Sequence, residues 1–252
     1  MKHSLTLVLI FILSLGFFIF WQLPAAVAVQ LASSALPPSV QFGQLSGSLW
    51  HGHVTEVRVQ QLSLKNLEWD IAATSLITGN LNFKVKLGNA RDKSQISGHG
   101  DISINLLSTS VTVEEAVLRF SVEQAMGHVT LPLPVEAKGR VMLSLDHFVT
   151  GVPYCSTLVG GIRTPNIDVK GLNSWFSIGE LEGQLQCKSG GIAVNVLPDN
   201  TLGLQADAVL SDNLQFSVNG KMKPDASLPK EVHDAVKFLG RADNEGYYPI
   251  KL

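Results

Sequence analysis

The sequence predicts a mainly β fold behind an amino-terminal transmembrane helix: a curved antiparallel sheet or half-open barrel, with one short helix near the carboxy terminus. Three observations carry that expectation. Leu5 to Leu23 is an apolar run without a charged residue, apolar residues recur at every second position from Val40 onward, and turn-forming residues separate those alternating runs. The chain then divides into a cytoplasmic start and transmembrane anchor over 1–23, a linker over 24–39, and a β-rich domain over 40–252.

Counted from Ser4, the apolar run spans about 30 Å as a helix, the thickness of a bilayer's hydrocarbon core. Lys2 precedes it, and the next charged residue is Glu56, so the positive charge lies on the amino-terminal side and the remainder is exported. Trp21 suits the far lipid-water interface. A cleavable signal peptide is the alternative, with Ala26-Val27-Ala28 as its small-x-small site. Such peptides have an apolar core of about 7 to 15 residues, shorter than this one, which favours the uncut anchor. The expected location is the inner membrane, single-pass, with the carboxy-terminal domain in the periplasm. Ala25 to Ser34 is small and apolar, and Pro37-Pro38 ends any helix that precedes it.

The first alternating sets are Val57 and Val59, then Leu81, Phe83, Val85 and Leu87, then Ile102, Ile104 and Leu106. Val141, Leu143 and Leu145 follow, then Leu185 and Cys187, Ile192 to Val196, Leu202 to Leu210, and Leu214, Phe216 and Val218. Each predicts a strand with one face dry. Gly88-Asn89, Gly98-His99-Gly100, Lys188 to Gly191, Pro198 to Asn200 and Ser211 to Asn213 supply the expected turns. A unit of glycine, spacer and apolar residue recurs at Gly47, Gly79, Gly100, Gly139 and Gly183, as though hairpins begin after a glycine turn. The best helix has Pro229 in its first turn, with Val232, Ala235, Val236 and Leu239 on one face and Gly240 at the C′ position. Asp70 to Ile77 and Ser121 to Met126 each suggest a single helical turn.

Of the 252 residues 45% are hydrophobic, ordinary for a folded chain, and 16% are charged, with a net charge of -2. That balance excludes the basic footprint of a nucleic-acid binder. Cys155 and Cys187 are the two cysteines, and an oxidising compartment favours pairing them, two separate buried thiols being the alternative.

Motifs of catalysis are absent: there is no Walker loop, nucleophile elbow, zincin helix or dinucleotide fingerprint. His51 and His53 would share a strand face, but no third ligand stands at a supporting spacing, so solvent-face histidines are expected and no metal or cofactor is assigned. Glu114-Glu115, as strand neighbours, would point to opposite faces rather than converge on one atom, so a solvated pair is expected. Trp50, Trp69 and Trp175 could form a sugar or lipid platform, though packing is the commoner role of large aromatics. A tethered, exported β domain without a catalytic site points to binding, scaffolding or carriage of a hydrophobic ligand.

Gly47-Ser48-Leu49-Trp50-His51-Gly52 resembles the G-[ST]-[LV]-W-x-G segment of the type II secretion system protein N family, placed as there behind a short anchor and a proline-containing linker. Leu67-Glu68-Trp69, then Leu76-Ile77-Thr78-Gly79-Asn80-Leu81, looks like that family's L-x-W stretch and its L-x-x-G-x-L turn and strand. Val218 to Pro224, followed by the short helix and Phe238-Leu239-Gly240, is similar to its close. Ala72-Ala73-Thr74 stands where the family has a proline, and the chain stops soon after Tyr247-Tyr248-Pro249. The resemblance implies a non-enzymatic inner-membrane subunit of the general secretion pathway that supports export of folded proteins across the outer membrane. Its expected partners are other secretion components, met through Trp50, His51 and Trp69. The same β-rich pattern is similar to AsmA-like and lipopolysaccharide-transport domains, so a periplasmic lipid-binding protein with an apolar β groove is the alternative.

Overall fold

The computed structural model describes residues 2–32, 39–59, 62–126, 136–171, 174–211 and 216–251. Two helices come first, α1 (Lys2–Trp21) and α2 (Ala25–Ala32). The β1 (Val40–Phe42), β2 (Leu45–Gly47), β3 (His51–Val59), β4 (Leu62–Ala72), β5 (Asn80–Leu87), β6 (Ser97–Asn105) and β7 (Val111–Ser121) strands follow. After α3 (Val122–Met126) come β8 (Ala137–Thr150), β9 (Cys155–Thr164), β10 (Ile167–Lys170), β11 (Trp175–Ser177), β12 (Leu181–Lys188), β13 (Gly191–Val196), β14 (Gln205–Leu210) and β15 (Phe216–Met222). The chain closes with α4 (Lys230–Ala235), a 3₁₀ turn over Val236–Leu239 and β16 (Tyr248–Lys251).

Among the described residues the strands form one 16-stranded antiparallel sheet whose main path runs from β1 through β3 to β9, then β12 to β16. β1 and β16 are its two edges and do not pair, so the sheet is open. β2 pairs with β3, and β10 with β8 and β11, beside that path. The sheet is open rather than closed, as both sequence alternatives, curved sheet and half-open barrel, require. A path of this length is not flat, because neighbouring strands twist by roughly 20–25°.

Alternation along each strand gives the sheet two unlike faces. One row of cross-strand partners runs Gly52, Trp69, Val85, Gly100, Ala116, Leu145, Gly160, Leu185, Val194, Ala208, Val218 and contains no polar side chain apart from the indole N–H. The row beside it on the opposite face runs His51, Asp70, Lys84, Asp101, Glu115. Asp70, Lys84 and Asp101 alternate in sign across the strands, and such opposite pairs stabilise by roughly 0.2–1 kcal/mol each, whereas Asp101 and Glu115 are like charges.

Only part of the apolar face is covered. Val122, Ala137, Val141, Ile167, Ile178 and Leu228 form one buried cluster, to which α4 adds Val232. Cys155, Leu158 and Leu185 form a second with their strand neighbours, and a disulfide joins Cys155 to Cys187 there. Over β5 and β6 the same face carries Leu81, Phe83, Val85, Ile102 and Ile104, all half-buried.

Several local expectations change. Gly98-His99-Gly100 is not a turn but part of β6. Gly98 lies between Leu87 and Leu118, and a Cβ there would stand 2.2 Å from the Val117 carbonyl oxygen, so this glycine serves a close backbone approach. The turn lies earlier, where the Asp92 carboxylate accepts the Ser94 N–H at 2.9 Å. Gly79 does open a strand from a positive φ, whereas Gly47, also at positive φ, closes β2, and Gly100, Gly139 and Gly183 sit inside strands. Glu114 and Glu115 are both exposed, the solvated pair expected, beside a bulge where β6 meets β7 at Asp101/Ile102. Leu202 and Leu204 precede β14 rather than belonging to it.

The helical expectations largely hold. Ala73–Thr78 is a 3₁₀ turn closed by Gly79 at φ 74°. α3 begins with a reciprocal cap, the Ser121 hydroxyl accepting the Gln124 N–H at 3.2 Å while the Gln124 side chain accepts the Ser121 N–H at 3.0 Å. Pro229 precedes α4 as its cap instead of lying in its first turn, and Gly240 is not left-handed helical. The stretch expected as a featureless tether contains α2, while Pro37-Pro38, the turn at Asp212-Asn213 and Leu214 lie outside the described residues. α1 is 20 residues long and exposes Leu7 to Leu13, Phe17 to Phe20 and Trp21. Its side chains are described from Thr6, and among described residues no helix is long and apolar enough to cross a membrane.

Two stability outcomes follow. The bridge closes a loop with a sequence separation of 32, so replacing both cysteines with alanine is expected to cost roughly 3.5–4 kcal/mol on the chain-entropy account, read from the denaturant midpoint. Asp243 accepts backbone N–H groups of Tyr247 at 2.8 Å and Glu245 at 2.9 Å, and the Tyr247 bond chiefly holds its carboxyl below the usual range. A carboxyl lowered on folding stabilises above its unfolded pKa, and that contribution is lost as pH falls through its folded pKa. Asp243→Asn is therefore expected to flatten the acid limb of stability against pH.

Candidate functional site

The three residues singled out for partner contact, Trp50, His51 and Trp69, meet at one junction. The β2–β3 hairpin turns at Gly47, whose φ of 83° suits glycine, and Ser48 N–H bonds the His51 carbonyl at 2.8 Å. The Ser48 hydroxyl accepts the His51 N–H at 3.1 Å, fixing the loop that presents Leu49 and Trp50. Gly52 then pairs with Trp69 on β4, and the indole lies across it: a Cβ at Gly52 would sit 2.1 Å from Trp69 Cζ2. Trp69 Nε1–H donates to the Leu49 carbonyl at 2.9 Å, tying the ring to the hairpin loop.

Trp50 faces the helices. It is 5% exposed, with Phe20 edge-on at 5.1 Å between ring centroids and Trp21 tilted at 5.9 Å. Leu49 N–H bonds the Leu23 carbonyl at 2.8 Å, and Pro24 bridges to Ser48. Ala25, at 1% exposure, closes the contact from α2. Trp50 Nε1 is buried with no hydrogen-bond partner, so apolar contact is what holds that ring. Each motif position thus has a geometric duty: Gly47 turns the chain, Trp50 holds the end of α1, and Gly52 leaves room for Trp69.

On the solvent side, His51 Nε2 lies 3.1 Å from Asp70 Oδ2, both side chains being more than half exposed. Such a pair contributes at most about 1 kcal/mol. A cavity of about 490 Å³ opens here, lined by His51, His53, Glu68, Asp70, Lys84 and Lys86 together with Gly47 and Trp69. Glu56, further along β3, is held below the usual carboxylate range chiefly by the Ser63 hydroxyl, which donates at 2.6 Å, and by Arg58. Cross-strand register supplied Asp70 and Glu68 to the two histidines, a proximity that spacing along the chain does not show. No cluster of three metal-ligating side chains occurs among the described residues. Trp175 lies apart on β11, with Lys138 Nζ 4.0 Å from its ring centroid.

A second cavity, of about 450 Å³, lies between α4 and the β10–β11 pair, lined chiefly by apolar side chains such as Phe176, Ile178, Leu202 and Val236. Phe238 at its margin is 81% exposed. Sequence reasoning missed it, because β10 and β11 are too short to show a period.

The family described as "Type II secretion system (T2SS), protein N" matches residues 38–251. Among curated relatives, type II secretion system protein N of Aeromonas hydrophila is 27% identical over 100% of this chain and 98% of its own. The protein of that name from Vibrio cholerae serotype O1 is 25% identical over 91% of this chain and 89% of its own. Klebsiella pneumoniae has one 23% identical over 99% and 95%. No solved structure matches the chain.

The packing at Gly52 carries a direct expectation. Gly52→Val places carbon inside the Trp69 ring and is expected to destabilise by about 1–3 kcal/mol, as overpacking does. Gly52→Val with Trp69→Ala should recover part of that loss in a double-mutant cycle read by chemical denaturation.

Proposed function

The chain belongs to the type II secretion system protein N family, and on that premise we propose that it is a non-enzymatic inner-membrane subunit of the secretion machinery. α1 is the single-pass anchor, its amino terminus cytoplasmic, and the sheet stands in the periplasm, where it supports export of folded proteins across the outer membrane. The observation that carries this reading is the junction: the hairpin bearing the family motif packs on the end of an apolar helix through Phe20, Trp21 and Trp50. Lys2 before that helix supports the orientation, and the disulfide suits an oxidising compartment.

Within this reading the three residues divide their work. Trp50 holds the sheet to the anchor, while His51 and Trp69, beside the polar cavity, form the membrane-proximal contact with another secretion component. The exposed edges β1 and β16 offer further docking by strand addition.

Two measurements test the reading. A reporter enzyme that folds only in an oxidising compartment, fused after Leu252, should be active, and activity of a cytoplasm-restricted reporter at that point would contradict the orientation. A photo-crosslinking residue at position 51 in secreting cells should capture another secretion subunit. Failure to capture one, with the disulfide formed and secretion intact, removes the hairpin as the contact.

A further inference from the structure

We infer that one rim of the sheet, formed by the turns that carry Ile77, Leu107 and Val152, rests on the surface of a lipid bilayer and dips those side chains below the headgroups. The inference goes beyond the inner-membrane reading: it rests on the turns themselves and holds whether or not α1 spans the membrane. The lipid stays in its leaflet, and only the tips enter.

Exposure comes first. Beyond α2, the three most exposed large apolar side chains among the described residues are Ile77 at 88%, Leu107 at 91% and Val152 at 94%. Each stands on a connection between strands, before β5, between β6 and β7, and between β8 and β9. Antiparallel pairing puts those three connections at the same end of the strands. Asn80 pairs with Asn105, and Leu106 N–H bonds the Gly79 carbonyl at 2.9 Å. Val111 N–H bonds the Thr150 hydroxyl at 2.9 Å, tying the second turn to the third. The tips therefore stand two strands apart, along a line of about 19 Å.

Charge is sorted between the two rims. At this one, connections 73–79, 106–110 and 151–154 contain no charged residue. The connections at the opposite rim do: Arg91, Asp92 and Lys93 lie between β5 and β6, Asp199 between β13 and β14, and Asp225 and Arg241 between β15 and β16. Phe238, the exposed apolar side chain on that last connection, stands beside Lys237. Further along the apolar-tipped rim, the β12–β13 turn carries Lys188, the sign of charge that anionic headgroups attract.

α1 ends at the same rim. Ile71 N–H bonds the Trp50 carbonyl at 2.7 Å, which sets the hairpin that holds Phe20 and Trp21 beside the turn of Ile77. Phe17, Phe18 and Ile19 are exposed just before that contact. One apolar phase beneath the rim would receive both the helix and the tips.

Chemistry selects a bilayer over a protein surface. Protein interfaces form about one hydrogen bond per 100–200 Å², but the polar groups of these turns are already engaged with one another. Asn105 Oδ1 accepts the N–H groups of Leu107 at 3.0 Å and Ser108 at 2.9 Å, and the Thr78 hydroxyl donates to the Ser75 carbonyl at 2.8 Å. Gly151 N–H bonds the Tyr154 carbonyl at 3.2 Å. Backbone groups satisfied inside a turn are what entry into hydrocarbon requires. Single tips about 10 Å apart do not make the packed core of a protein interface, whereas fluid lipid closes around each one separately.

The test uses the full chain in vesicles of phosphatidylethanolamine and phosphatidylglycerol, with and without bromine on the acyl chains. Both native cysteines are in the disulfide, so one added cysteine takes a single environment-sensitive fluorophore. Label on Ile77→Cys, Leu107→Cys and Val152→Cys is expected to shift to the blue and to be quenched by the brominated lipid. Label on Asp92→Cys and Asp199→Cys, at the opposite rim, is expected to do neither. Quenching at Phe18→Cys with none at 107 and 152 overturns the inference and leaves the anchor reading intact. Quenching at the tips with none at Phe18→Cys upholds the inference and refutes the anchor. An apolar side chain that leaves water gains about tenfold or more in partition, so Leu107→Ser with Val152→Ser should lower the ratio of immersed to free label at position 77 by about that factor. Both positions are almost fully exposed, and disulfide formation confirms the fold of the variant. An unchanged ratio overturns the inference. A photo-crosslinking residue at 107 that captures protein in cells in place of lipid overturns the bilayer as the partner.

Discussion

Everything in this structure depends on the period-two alternation that makes one face of a single-layer sheet apolar and the other polar. A sheet stabilises itself within its plane through hydrogen bonds, but its dry face needs cover. Here cover is local: α3, α4, β10 and β11 close one flank around Val141 and Ile167, and the disulfide sits in a second cluster with Leu158 and Leu185. Elsewhere the face stays half-buried. The chain thus folds around two islands of core and leaves between and beyond them a surface of core-like composition. The wet face, with His51, Asp70, Lys84 and Asp101 in register, fixes which side meets solvent.

At its amino-terminal end, the same sheet is joined to α1 by the β2–β3 hairpin. Trp69 occupies the space a side chain at Gly52 would need, and its N–H reaches back to Leu49. Leu49 and Trp50 in turn hold Leu23 and Phe20. A change at Gly52 therefore reaches α1 through Trp69 and the hairpin loop. The family match over residues 38–251 includes this hairpin, so one of the stretches that carry the resemblance also joins helix to sheet.

Much of the fold was legible in the sequence, and the reason is chemical. Long strands with one dry face, such as β5 with Leu81, Phe83, Val85 and Leu87 inward, advertise themselves by alternation. The pairing of Cys155 with Cys187 followed from compartment and count. What stayed hidden depends on register or on short segments. Gly98 and Gly100 read as a turn because glycine's role in close strand packing is invisible without a neighbour. The bulge beside Glu114 and Glu115 was equally hidden, because a single-residue bulge leaves no mark in composition. At the candidate site, Trp50, His51 and Trp69 could be named but not their duties: Trp50 faces the chain's own helix, and Asp70 reaches His51 across two strands.

The central claim is that over β5 and β6 the apolar face lies outside the two packed clusters. Its most direct test is electron paramagnetic resonance of nitroxides placed one at a time along β5, at positions 83 and 85 on one face and 84 and 86 on the other, in the full chain in bilayers. Collision with oxygen, which partitions into apolar surroundings, should dominate at 83 and 85, and collision with a water-soluble nickel complex at 84 and 86. Immobile labels at 83 and 85 that neither reagent reaches would mean a covered, fully packed face, and would contradict the account.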